Sequence, residues 1–109
     1  MHAQGPAPHA AAKAVLVAAL GGCTEATLAA ILRKQRQPVT AIDMALTPTL
    51  ADTTPREIVA IHMAIGIAGD GLEMEKIEKA VALAEHHCPV HKTLSAAVRI
   101  TRSITLRQA

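Results

Sequence analysis

Apolar residues occupy most positions of residues 10–37, the first long patterned stretch of the chain. Alanine and leucine predominate there, and both favour helical backbone. Because polar side chains are scarce until Arg33, the pattern predicts a helix that is buried on all sides. The glycine pair Gly21–Gly22 is expected to loosen or kink this helix, and Pro38 is expected to end it.

Alternation with a period of two predicts strands in the middle and at the end of the chain. The first strand covers residues 40–50, and the second covers residues 56–68 after a polar loop. In the second strand, His62 falls on the face opposite the large apolar side chains. The last strand is predicted over residues 98–106, where Arg102 is an exception on the apolar face.

A second helix is predicted over residues 72–88, between the second strand and the last one. Spacings of three and four residues place its apolar side chains on a single stripe, which consists of Met74, Ile77, Val81, Ala84 and Cys88. Pro89 lacks an amide hydrogen, so the helix is expected to kink or restart there. The order helix, strand, strand, helix, strand predicts an α+β protein.

Length and composition indicate a single domain of unusual make-up. The 109 residues suffice for one domain, and we assign residues 1–9 to a flexible lead-in and residues 10–109 to the domain. The sequence contains no Phe, Trp or Tyr. A core of smaller side chains buries less apolar area, so a lone monomer is expected to be weakly stabilised and dimerisation is favoured.

Charge and hydropathy exclude several classes of partner. The formal net charge of +2 is small and its cations are dispersed, so no nucleic-acid partner is expected. The apolar stretch at residues 14–23 is shorter than the ~20 residues of a membrane span, so no membrane association is expected either. The N-terminus lacks the basic region of a secretory signal, and two cysteines do not form a secreted disulfide scaffold. We therefore expect a soluble, cytoplasmic protein.

Reactive side chains are concentrated in the segment AEHHCPVHKTL, residues 84–94, which contains Cys88 and three histidines. The other cysteine, Cys23, is too distant in sequence for a CxxC motif. Both cysteines lie on predicted apolar stripes, so their thiols can meet where the two helices pack. In thiol peroxidases one thiolate attacks the peroxide, and a second thiol converts the sulfenic acid to a disulfide. Two inert, buried cysteines are the alternative interpretation.

Other interpretations of these residues remain open. His87 and His91 are four residues apart and flank Cys88, a spacing that zinc or copper ligands also show. A fourth ligand would have to come from His62, and a proline interrupts the segment, so we predict no metal and no cofactor. His62 is interpreted either as a base or as a structural residue. A cysteine hydrolase built on GGCTE would need an Asp or Asn partner in a pattern that the sequence does not show.

The segments AALGGCT, ILRKQRQPV and CPVHKTL resemble the OsmC/Ohr family of organic hydroperoxide reductases, and most closely its YhfA-type subgroup. The resemblance extends over residues 5–106. It implies an OsmC-like fold with two core helices packed on an antiparallel sheet, in an intertwined homodimer with active sites at the interface. It also implies that Cys23 is the peroxidatic thiol and Cys88 the resolving thiol. The implied substrate is an organic hydroperoxide, and the implied reductant is a dithiol, of lipoyl type in one branch.

The chain departs from this family at the residues that activate the thiol. Family members carry an N-terminal strand region that supplies an arginine, and a glutamate nine residues before the first cysteine, where this chain has Ala14. Lys13, Arg36 or His87 would have to replace the missing cation. From the cysteine pair and the family resemblance, we nevertheless expect a thiol hydroperoxide reductase. The alternative is a catalytically inactive or engineered, aromatic-free scaffold of the same fold.

Overall fold

The structure is a computed structural model that describes residues 8–109, and most of the predicted lead-in lies outside the described residues. Its elements are, in chain order, α1 (Pro8–Lys34), β1 (Val39–Leu50), β2 (Ile58–Gly69), α2 (Met74–His87), α3 (Pro89–Leu94) and β3 (Arg99–Arg107). This order confirms the α+β class. The structure adds one short helix, α3, which begins at Pro89, where the sequence predicted that the helix would kink or restart.

The three strands form one mixed sheet in the order β1-β2-β3. β1 runs antiparallel to β2, whereas β3 runs parallel to β2. The expectation of an antiparallel sheet was therefore wrong. The physical reason is the connection: a short loop returns the chain from β1 to β2, but α2 and α3 cross the sheet before β3 begins, which brings β3 in along the direction of β2.

The core lies between one face of the sheet and helices α1 and α2. Four alternating side chains of β2 face the helices and are at most 1% exposed, namely Ile61, Met63, Ile65 and Ile67. The core residues that they face on the helices are fully or almost fully buried, and include Leu20, Leu28, Leu32, Ile77 and Val81. His62 lies on the opposite, exposed face of β2, as its place in the alternation predicted.

Helix α1 buries only one side within the single chain. Val15 and Leu16 remain 52% and 42% exposed, so the expectation of burial on all sides is not met by one copy. The helix continues through the glycine pair without a break. At Gly21 a Cβ atom would lie 2.9 Å from Cδ1 of Leu46, so the missing side chain allows β1 to pack closely against the helix.

Within residues 8–109, α1 is also the one helix that is long and apolar enough to cross a membrane. The expectation that its apolar stretch is too short was therefore wrong for the helix as it forms. Length and composition are weak indicators, because the core helix of a soluble protein meets the same criterion. The buried side of α1 packs in the core with β2 and α2, as such a core helix does.

Candidate thiol site

The structure brings the two cysteines into contact. Cys23 lies half-buried in the middle of α1, and Cys88 is completely buried between α2 and α3. Their Sγ atoms are 2.8 Å apart and both thiols are free. A disulfide bond is about 2.05 Å long, so the sulfurs are unbonded but need little movement to bond.

Pro89 places the sulfur of Cys88. Because α2 cannot continue past this proline, Cys88 adopts an extended backbone with φ −81° and ψ 113°. Cys88 is then the N-cap of α3, and Pro89 occupies the first turn, where its missing N–H costs nothing. The amide of His91 donates to Sγ of Cys88 at 3.4 Å. One residue thus ends α2, starts α3 and presents its sulfur to α1.

Four donors surround the two sulfurs, and the His91 amide described above is one of them. The Cys88 thiol donates to Sγ of Cys23, and the Thr24 hydroxyl lies 3.8 Å from Sγ of Cys88 as a weak donor. The backbone N–H of Val90 donates to Cys23. The Thr27 hydroxyl also lies near Cys23, although its proton goes to the Cys23 carbonyl oxygen at 2.8 Å.

These contacts make the two thiols unequal. The hydrogen bond from Cys88 is the main reason that the pKa of Cys23 is lowered; burial opposes it, and the Val90 amide adds to the lowering. Burial raises the pKa of Cys88, and so does the hydrogen bond that it donates to Cys23. Cys23 is therefore the sulfur that ionises first, and Cys88 is the protonated partner.

Among the described residues, the groups that lower the pKa of Cys23 include no cation. Lys13 lines a groove at the start of α1, and Arg36 lies beyond its end. His87 and Thr27 line the same open cavity of about 560 Å³, together with Arg33 and Lys34. Within residues 8–109, the lowering of the Cys23 pKa therefore comes from hydrogen-bond donors, first of all the Cys88 thiol, and not from a positive charge.

A second polar cluster lies beside the thiols, and sequence analysis missed it. Arg102 of β3 forms an ion pair with Oε1 of Glu85 in α2. The other carboxylate oxygen of Glu85 lies 3.5 Å from Nε2 of His91 in α3. The side chains of Glu85 and His91 are only 13% and 15% exposed. The sequence did carry one signal for this cluster, since Arg102 interrupts the apolar face of β3.

His62, His86 and His87 lie apart from this polar cluster. His62 is on the exposed face of the sheet, where its ring nitrogens contact the hydroxyls of Thr101 and Ser103 at 2.8 and 3.1 Å. These contacts give it a cross-strand structural role. His86 and His87 pack edge to face at the exposed end of α2. Residues 8–109 contain no group of three or more His, Cys, Asp or Glu side chains arranged to hold a metal ion.

Comparison with known proteins assigns the fold. The family model described as OsmC-like protein matches residues 3–103. The chain belongs to the OsmC-like family. Protein YhfA of Escherichia coli K12 is 37% identical over 90 residues, which are 82% of this chain and 66% of YhfA. The resemblance expected from the cysteine segments is thereby confirmed, and the matched region spans slightly less than two thirds of this relative.

Solved structures show the same OsmC-like fold. A hypothetical protein from Aquifex aeolicus VF5 superposes with a TM-score of 0.82 at 22% identity, covering 89% of this chain and 74% of that one. An organic hydroperoxide resistance protein OsmC from Legionella pneumophila superposes with a TM-score of 0.66 at 20% identity, covering 84% and 66%. At these identities the two similarities establish the fold alone.

Proposed function

We propose that this protein reduces organic hydroperoxides, with Cys23 as the attacking thiol and Cys88 as the resolving thiol. The observation that carries the proposal is the sulfur contact of 2.8 Å between thiols whose pKa values are shifted in opposite directions. Membership of the OsmC-like family and structural similarity to an organic hydroperoxide resistance protein support it.

In the first step the Cys23 thiolate attacks one oxygen of the hydroperoxide. An S–O bond forms, the O–O bond breaks, and the alkoxide leaves as the alcohol after it takes up a proton. Sulfur is oxidised to a sulfenic acid, and the hydroperoxide is reduced. Cys23 suits this role because it ionises more readily than Cys88 and is the more exposed of the two.

In the second step Cys88 attacks the sulfenic sulfur of Cys23. The S–S bond forms, the S–O bond breaks, and the hydroxide leaves as water with the proton of the Cys88 thiol. A dithiol reductant then restores both thiols by disulfide exchange and becomes a disulfide itself. Since Cys88 is fully buried, we expect the reductant to attack Cys23 and to release Cys88 as the leaving thiolate.

We further propose that the working form is a homodimer. The side of α1 that carries Val15 and Leu16 is apolar and exposed in a single chain. A second copy packed on this face would remove that surface from water. Burial of apolar area is the main driving force of association, so the exposed face supports a dimer in which α1 is central.

The test measures consumption of cumene hydroperoxide with dihydrolipoamide as the reductant. The wild-type protein is expected to turn over and Cys23→Ser to be inactive. Cys88→Ser is expected to stop as a sulfenic acid after one equivalent of hydroperoxide or as a sulfinic acid after two. Mass spectrometry of the oxidised wild type should show the loss of two hydrogens per chain. Wild-type turnover no faster than that of Cys23→Ser would leave the inactive scaffold as the correct interpretation.

A further inference from the structure

The Arg102–Glu85–His91 cluster connects the sheet to the thiols. Arg102 belongs to the helix-covered face of β3, whose other members Ile100, Ile104 and Leu106 pack against the core. Its guanidinium is paired with Glu85, and Glu85 faces the His91 ring across 3.5 Å. The cluster thereby joins three elements, β3, α2 and α3.

The last member of this cluster belongs to the turn that touches both sulfurs. The amide of His91 donates to Sγ of Cys88, and the preceding amide, that of Val90, donates to Cys23. Nε2 of His91 is buried, lies 3.5 Å from Oε2 of Glu85 and has no hydrogen-bond partner within the described residues. His91 thus lies between the amides at the two sulfurs and a carboxylate that is paired with Arg102.

We propose that Arg102, acting through Glu85 and His91, is a positioning residue for the resolution step. It fixes the first turn of α3 so that the Cys88 sulfur stays against Cys23 when Cys23 is oxidised. This inference rests on the proposed function. A simple structural ion pair would stabilise the fold without a particular effect on the thiols, and the test must separate the two roles.

The chemical consequence is a competition at Cys23. Attack by Cys88 on the sulfenic acid yields the disulfide and water. If Cys88 is displaced, a second hydroperoxide oxidises the sulfenic acid to the sulfinic acid and is itself reduced to the alcohol. Arg102→Met is therefore expected to shift the product from disulfide to sulfinic acid. The first attack should also slow, because a displaced Cys88 no longer lowers the pKa of Cys23.

The matched control is Arg99→Met, which removes an exposed arginine from the same strand. Each variant receives excess cumene hydroperoxide, and mass spectrometry counts disulfide against sulfinic acid. We expect disulfide in the wild type and in Arg99→Met, sulfinic acid in Arg102→Met, and partial rescue in Arg102→Lys, which keeps the positive charge. Glu85→Gln, which preserves side-chain shape, serves as a second variant if Arg102→Met does not fold.

A peroxide-free measurement separates this inference from the proposed function. Diamide takes two electrons and two protons from the thiol pair and leaves the Cys23–Cys88 disulfide. This disulfide should form roughly tenfold more slowly in Arg102→Met than in the wild type, which is equivalent to about 1.4 kcal/mol in the activation free energy. If the folded variant closes at the wild-type rate, or Arg99→Met slows equally, the positioning role is wrong. If the wild type closes but never consumes hydroperoxide, the proposed function fails, and a slower closure in Arg102→Met then supports only a role of the cluster in positioning the thiol pair.

Discussion

Oxidation of the thiol pair should make the protein markedly more stable. The disulfide between Cys23 and Cys88 would close a loop of 65 residues. In the chain-entropy model, closing a loop of this length in the unfolded state contributes about 4 kcal/mol at 25 °C. The sulfurs already lie in contact in the reduced fold, so little of this gain should be lost to distortion. We expect a net gain between about 2 and 4 kcal/mol.

Urea unfolding at a fixed protein concentration measures this gain. The reduced protein and the diamide-oxidised protein are compared after mass spectrometry has confirmed the disulfide. With a urea m-value of about 2 kcal/mol/M, the expected gain moves the midpoint upward by roughly 1–2 M. The Cys88→Ser variant, treated in the same way, controls for other effects of diamide and should show no such shift.

The result that would refute this reasoning is an intact disulfide without added stability. An oxidised protein that unfolds at the same or a lower urea concentration would mean that the bonded sulfurs strain the native backbone. In that case the two thiols would not lie in bonding range in the folded protein. The protein concentration must be constant throughout, because the stability of a dimer depends on it.

Three further predictions concern the interface, the thiolate and the core. Leu16→Glu places a charge on the exposed face of α1 and should dissociate the dimer in sedimentation runs; unchanged association would remove α1 from the interface. The lowered pKa of Cys23 predicts iodoacetamide alkylation with a pH midpoint below the reference value of 9.0. Cys88→Ala should move that midpoint upward, because it removes the main cause of the lowering, and an unmoved midpoint would contradict this. In thermal or urea unfolding, Ile77→Ala should cost about 2–5 kcal/mol, whereas Leu83→Ala on the exposed side of the same helix should cost far less; equal losses would contradict the assigned core face.

Local periodicity predicted the elements well where one face of an element is buried. In β2 the alternation assigned His62 to the exposed face and Ile61 to the core, and the structure places both there. In α2 the spacing of three and four residues predicted that Cys88 ends the buried stripe, and Cys88 is completely buried in the structure. Such patterns are set by burial itself, so they are visible in the sequence.

Features that depend on contacts between distant parts of the chain could not be predicted from the sequence. The direction of β3 follows from the path of α2 and α3 across the sheet, which no alternation encodes. The end of α1 is set by Arg36, which adopts a left-handed conformation with φ 55°, and not by Pro38. The amides of Arg36 and Gln37 then donate to Arg33 and Leu32, in the pattern that closes many helices.

The candidate site likewise has a part that the sequence predicted and a part that only the structure shows. The pairing of Cys23 with Cys88 followed from two buried stripes and the family resemblance, but the donors to their sulfurs did not. Val90 acts through its backbone amide, which any residue except proline would supply. Arg102 was recognisable as an anomaly, yet its partner Glu85 lies 17 residues upstream on a different element. Only the folded chain shows why the arginine is there.

The place of Cys88 at the junction of two helices determines how its substitutions must be interpreted. Serine is a favoured N-cap and keeps an acceptor for the His91 amide, so Cys88→Ser removes the resolving thiol while preserving the architecture. Alanine removes both the thiol and the cap. The difference in activity, stability or expression between these two variants therefore isolates the contribution of the helix junction from that of the sulfur.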